Sequence, residues 1–165
     1  AYPAQLESML NQEGVPAKVT NAGVSGDTSA QALRRVDWSL KNGRYDMVLI
    51  CLGANDGLRR LPLADLESNL SQMIEKFRKA GLKTVVIGIR LPSNFPEAYR
   101  KGFEELYPRV AKAKGADFLP FLLEGVAMED ALNLSDRIHP NEKGQKIVAR
   151  RIADFLKPKL RKAAG

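Results

Sequence analysis

The sequence predicts an α/β domain built on a parallel sheet, and three observations carry that expectation. Segments with a helical hydrophobic period alternate with short strand-like segments from one end of the 165 residues to the other. The run at 46–52 is apolar at every position after Asp46, the pattern of a strand buried on both faces. The chain is also of a size that one core can serve, and no repeat, low-complexity tract or linker divides it, so a single domain over 1–165 is expected.

Each element has its own reason. Tyr2, Leu6, Met9 and Leu10 share one face of a short helix that stops near Gly14. Residues 17–21 read as a strand, and 28–42 as a helix with Thr28 or Ser29 at its cap. The buried strand at 46–52 follows. A helix over 63–80 stops at Gly81, a strand takes 82–90, a helix over 95–114 stops at Gly115, and 116–120 reads as a short strand. The last helix covers 141–156, with Pro140 suited to its first turn. Parallel strands joined by helices imply right-handed crossovers, and the binding crevice of such a sheet lies beyond the carboxyl ends of its strands.

Composition narrows the function. Cys51 is the only cysteine, so no internal disulfide forms, and its place in an apolar run reads as a buried small hydrophobe, with a reactive thiol as the alternative. Nearly all of the net charge of +7 comes from the final helix and its tail, where Lys143, Lys146, Arg150, Arg151, Lys157, Lys159, Arg161 and Lys162 face only Glu142 and Asp154. Ile147, Val148, Ile152, Phe155 and Leu156 interleave with them at helical spacing, so the charge reads as a solvated face over a packed stripe, with contact to an anionic lipid surface as the alternative. Nucleic acid is not an expected partner, because no zinc-ligand spacing, aromatic-studded strand or helix-turn-helix accompanies the charge. No segment reaches the roughly 18 to 20 apolar residues of a membrane span.

The chemistry concentrates in three places. Ser135-Asp136-Arg137-Ile138-His139-Pro140 holds the sole histidine, three residues after an aspartate. An imidazole can act as general base while its second nitrogen donates to a carboxylate, so Asp136 and His139 form an acid–histidine pair; helix-entry capping is the plainer alternative for such a turn. Gly53-Ala54-Asn55-Asp56-Gly57 follows a strand and would present the Asn55 amide at the sheet edge as an oxyanion donor, or be an ordinary Asn-Asp-Gly turn. In Asn21-Ala22-Gly23-Val24-Ser25-Gly26-Asp27-Thr28, Gly26 offers an unobstructed backbone N–H, or is a loop glycine ahead of a helix.

Their order along the chain resembles three of the four sequence blocks of the SGNH, or GDSL, hydrolases, and most closely the bacterial thioesterase, arylesterase and lysophospholipase enzymes of that family. Ile89-Arg90-Leu91-Pro92-Ser93-Asn94 and Asp136-Arg137-Ile138-His139-Pro140-Asn141 extend the match from the first helix to the last. The resemblance implies a three-layer α/β/α, flavodoxin-like parallel sheet. It makes Gly26 and Asn55 the oxyanion donors and Asp136 and His139 the acid and base, and it sets Leu58, Leu91, Pro92 and Asn94 among the acyl-pocket residues. It further implies hydrolysis of small acyl esters or thioesters through an acyl-serine, with no metal or organic cofactor, in the periplasm or outside the cell.

The fourth block is a Gly-Asp-Ser-Leu-like run carrying the nucleophile at the end of a first, central strand, and it does not occur in these residues. Ser25, Ser29 and Ser135 lie near the motifs but would be poorly aligned for attack. The expectation is therefore an N-terminally incomplete hydrolase domain whose nucleophile lies outside the sequence. Such a chain would lack a central strand and would self-associate or borrow one. The alternative is an inactive remnant that binds acyl or glycan groups or docks on anionic lipid.

Overall fold

The computed structural model describes residues 2–121, 123–137 and 139–164, the last three by their backbone alone. It divides into two compact units, one of Ala22–Phe121 and one of Ala1–Asn21 with Leu122–Gly165.

The larger unit holds a three-stranded parallel sheet in the order β1 (Met47–Ile50), β2 (Lys83–Ile87), β3 (Asp117–Leu119). Around it are α2 (Ser29–Lys41), α3 (Ala54–Leu58), α4 (Leu63–Lys79) and α5 (Glu97–Lys114). The central strand β2 is buried at four successive residues from Thr84 to Ile87, so both of its faces are covered. Helix α4 shows why its sequence is helical: Leu66, Leu70, Met73, Ile74 and Phe77 bury one stripe, while Asp65 opens the helix and Lys76, Arg78 and Lys79 close it in the sense the helix dipole favours. With Phe103, Leu106 and Tyr107 of α5 this stripe forms the core of the unit.

The smaller unit pairs α1 (Tyr2–Gln12) with α6 (Glu142–Ala164), and a 3-10 turn at Asp130–Leu132 precedes the latter. Leu6 and Leu10 of α1 and Val148, Ile152 and Leu156 of α6 are buried. Glu13 binds Arg150 at 2.6 Å and Lys157 at 2.7 Å.

The parallel α/β architecture and the main helices agree with the sequence reading; the strands expected at 46–52 and 82–90 end earlier, at Ile50 and Ile87, and four further elements differ. Residues 17–21 form no strand. Side chains of α1 occupy their backbone groups instead: Asn11 Oδ1 accepts the Ala17 N–H and Asn11 Nδ2 donates to the Ala17 carbonyl, both at 3.0 Å, and Glu7 Oε1 accepts the Val19 N–H at 2.7 Å. Residues 54–58 close into the short helix α3, where a plain Asn-Asp-Gly turn is the alternative that the sequence offers. Helix α5 starts only at Glu97, because the residue before Pro96 is steered away from helical backbone. Helix α6 runs past Pro158 to Ala164, well beyond the expected end at 156, with Lys157 held by Glu13 and Asp154 beside the proline.

Candidate active site

The acid–histidine pair lies in the smaller unit, on the loop that enters α6. A buried amide organises that loop: Asn133 Nδ2 donates to the Val126 carbonyl at 2.5 Å and the Glu129 carbonyl at 2.8 Å, and Asn133 bridges to Pro140. The Leu134 N–H donates to the His139 carbonyl at 2.8 Å, and the Arg137 N–H donates to the Leu134 carbonyl at 2.9 Å. Asn141 pins the far side by donating through its side chain to the Ala131 carbonyl at 2.9 Å. Ile138, inside the motif, lies outside the described residues.

This frame brings Asp136 and His139 together twice. The His139 backbone N–H donates to Asp136 Oδ1 at 3.0 Å, and Nδ1 of the ring lies 2.5 Å from Oδ2. With its proton on Nδ1 the imidazole donates to the carboxylate, which leaves Nε2 as a free acceptor. The His139 side chain is 73 % exposed, so that nitrogen is open to a reacting group.

The oxyanion candidates belong to the larger unit. Gly26 has φ +84, a left-handed conformation suited to glycine, and a Cβ there would meet nothing within 4 Å, so the loop is uncrowded on that side. Thr28 caps α2 in a reciprocal box with Gln31, and Asp27 pairs with Arg35, which fixes the end of the Gly26 loop. Asn55 sits at the start of α3, where its Nδ2 donates to the Asp27 carbonyl at 3.0 Å. One amide hydrogen is thus spent on orientation and the second is available to a substrate oxygen.

Close packing holds the turn that carries Asn55. Gly53 has φ +118, and a Cβ there would lie 1.9 Å from the Tyr107 hydroxyl oxygen. That hydroxyl, on a buried ring, donates to the Leu52 carbonyl at 2.7 Å, and burial raises its pKa. Asp56, next to Asn55, is buried at 3 % exposure. It accepts the Ser29 N–H at 2.8 Å and the Ser29 hydroxyl at 2.7 Å, while Asn69 of α4 donates to Ser29 Oγ at 3.0 Å. Sequence reasoning gave no role to Asp56, Asn69 and Tyr107 and treated Ser29 only as a cap or a poorly aligned serine. The only hint was a carboxylate in the turn after an apolar strand, and an Asn-Asp-Gly string reads equally well as a turn.

The expected acyl-pocket residues divide. Leu58 is 51 % exposed, and Pro92 and Asn94 are exposed, whereas Leu91 is buried in the core, close enough that a Cβ on Gly57 would meet its Cδ2 at 2.6 Å. Leu91 therefore backs α3 rather than facing an open groove. Cys51, expected to be buried, is exposed just past the end of β1. It remains crowded by protein, and that desolvation pushes its thiol up to about 11, which favours the neutral thiol over an activated one at neutral pH. Among the described residues no group of three or more His, Cys, Asp or Glu is arranged to hold a metal ion.

Comparison with known proteins gives this geometry a context. The model of the GDSL-like Lipase/Acylhydrolase family matches residues 1–147. The chain is 38 % identical to Esterase TesA of Pseudomonas aeruginosa, over 96 % of this chain and 79 % of that protein. It is 35 % identical to the Arylesterase of Vibrio mimicus, over 94 % and 78 %. The crystal structure of the psychrotrophic esterase EstA from a Pseudoalteromonas species superposes with a TM-score of 0.89 at 32 % identity, covering 94 % of this chain and 85 % of that one. Sequence and fold therefore agree that the chain belongs to the GDSL-like lipase/acylhydrolase family.

Proposed function

We propose that this acylhydrolase cleaves small carboxylic esters and thioesters through an acyl-serine intermediate, with His139 as base, Asp136 as its orienting acid, and Asn55 and Gly26 as oxyanion donors. The nucleophile on this reading is a serine outside the 165 residues. Its Oγ attacks the substrate carbonyl while Nε2 of His139 takes the hydroxyl proton. Negative charge gathers on the carbonyl oxygen, where the Asn55 amide and the Gly26 N–H stabilise it. Collapse expels the alcohol or thiol with the proton from His139, and a water activated by the same nitrogen then releases the acid. Leu58, Pro92 and Asn94 border the acyl group, and Leu91 supports α3 from beneath.

The observation that carries this reading is the 2.5 Å approach of His139 Nδ1 to Asp136, with the rest of the imidazole exposed. A capping role alone would use the backbone N–H of His139 and would not need the ring. Relatives that bear the names esterase and arylesterase support the same substrate class. No helix among the described residues is long and apolar enough to cross a membrane. A periplasmic or secreted site of action rests on the family resemblance.

The test uses the protein carrying its nucleophilic serine and a p-nitrophenyl ester. Asn55→Ala should lose about 10²- to 10³-fold in turnover, the usual cost of one oxyanion donor. His139→Ala should lose at least as much and should no longer react with a fluorophosphonate. Wild-type rates from both variants would overturn the assignment.

A further inference from the structure

The Asp56 carboxylate spans two loops that the reaction needs in one frame. Gly26-Asp27-Thr28-Ser29 carries one oxyanion donor, and Asn55-Asp56 carries the other. Two rungs join them. Asn55 Nδ2 donates to the Asp27 carbonyl at 3.0 Å, and the Ser29 N–H and hydroxyl both donate to Asp56, at 2.8 and 2.7 Å. The donors run in opposite senses on the two rungs, so neither loop can slide or tilt without stretching a bond. Asn69 of α4 locks the second rung from behind through Ser29 Oγ.

We propose that Asp56 is a positioning residue for the oxyanion hole, acting through Ser29 and Asn55 to hold the Asn55 amide and the Gly26 N–H at a fixed separation; this rests on the reading of those two groups as the donors. Burying a carboxylate is costly, and a well-packed neutral residue often serves stability as well. What the carboxylate adds is two acceptor oxygens in one plane, which fix both the backbone and the side chain of Ser29, three residues from Gly26. Asparagine replaces it poorly. With its Oδ1 on the Ser29 N–H, its Nδ2 would meet the Ser29 hydroxyl as a second donor beside Asn69, and that hydroxyl would have to turn its hydrogen away and lose its acceptor. Oxyanion donors tolerate only small displacements before transition-state stabilisation is lost, so loosening this clamp should lower kcat and leave ground-state binding intact.

The experiment compares Asp56→Asn, Ser29→Ala, Asn55→Ala and the double variant Asp56→Asn/Asn55→Ala by steady-state kinetics, on the protein carrying its nucleophilic serine. Asp56→Asn should lower kcat by about 10- to 100-fold, the scale of a misplaced catalytic group, with KM within about twofold of wild type. The double variant should lose at least about tenfold less than the product of the two single losses, because much of what Asp56 does passes through Asn55. Additive losses would mean that Asp56 acts only on stability and would overturn the proposal, as would an unchanged kcat. Should Asp56→Asn fail to fold by circular dichroism, Ser29→Ala decides. It keeps the backbone rung, and it should lower kcat by about 3- to 10-fold at unchanged KM; no change there refutes the clamp. If Asn55→Ala itself is fully active, the donor assignment has failed. A loss at Asn55 with none at Asp56 or Ser29 sinks the clamp alone.

Discussion

Replacing Gly53 by alanine probes the join between the sheet and the turn that carries Asn55. A Cβ at this position would stand 1.9 Å from the Tyr107 hydroxyl oxygen and 3.1 Å from Leu66 Cδ1, on a backbone at φ +118. Backbone strain of this kind costs about 1–3 kcal/mol, and the forced shift of a packed ring about 1–3 kcal/mol more. Together they are a large part of the roughly 5–15 kcal/mol that holds a domain of this size. The structure also separates the two contributions. In a Tyr107→Phe background the nearest ring atom would be Cζ at 3.2 Å, so most of the steric part should vanish and about 1–3 kcal/mol of backbone strain should remain. Urea unfolding of wild type, both single variants and the double variant measures this as a shift in midpoint at constant m-value. A cost for Gly53→Ala under about 1 kcal/mol, or the same cost in both backgrounds, would show that Tyr107 does not press on this turn.

Two further predictions concern titration. Cys51 should alkylate slowly at pH 8 although solvent reaches it, with a rate that climbs toward a midpoint near 11; an iodoacetamide pH–rate profile with an ordinary thiol midpoint would contradict its crowded setting. Glu13 is held down to about 2 by its hydrogen bonds from Arg150 and Lys157. A depressed carboxylate stabilises the folded state above its unfolded pKa of about 4.3, and that contribution is lost as pH falls toward about 2. The Tm difference between wild type and Glu13→Gln should therefore be present at neutral pH and close as the medium is acidified through that window; a pH-independent gap would assign the effect to packing instead.

Much of this architecture is legible in the sequence because local signals and tertiary demands coincide. The apolar run at Met47–Ile50, the stripe of α4 and the caps at Thr28 and Gly81 each specify an element without help from distant residues. Residues 17–21 misled because β-compatible residues say nothing about whether a partner strand is adjacent, and here the side chains of Asn11 and Glu7 take the backbone groups. The acid–histidine pair was readable because three residues and a turn separate its members. Asp56 was not, since its partner Ser29, with Asn69 behind that hydroxyl, lies far away in the chain and only folding reveals that its carboxylate points inward. Leu91 shows the limit from the other side: a motif can suggest that a loop borders substrate, but not which of its side chains turns into the core.

The position of β1 bears on the stability of the turn that carries Asn55. The Lys83 N–H donates to the Asp46 carbonyl, so Asp46, and with it Val48 and Ile50, directs its peptide groups toward β2. Met47 and Leu49 direct theirs to the opposite edge, where no strand pairs among the described residues. Asn55 follows the end of this strand. In the 165 residues taken alone, amide exchange at Met47 and Leu49 should accordingly outpace that of Val85 and Val86, whose strand is paired on both sides.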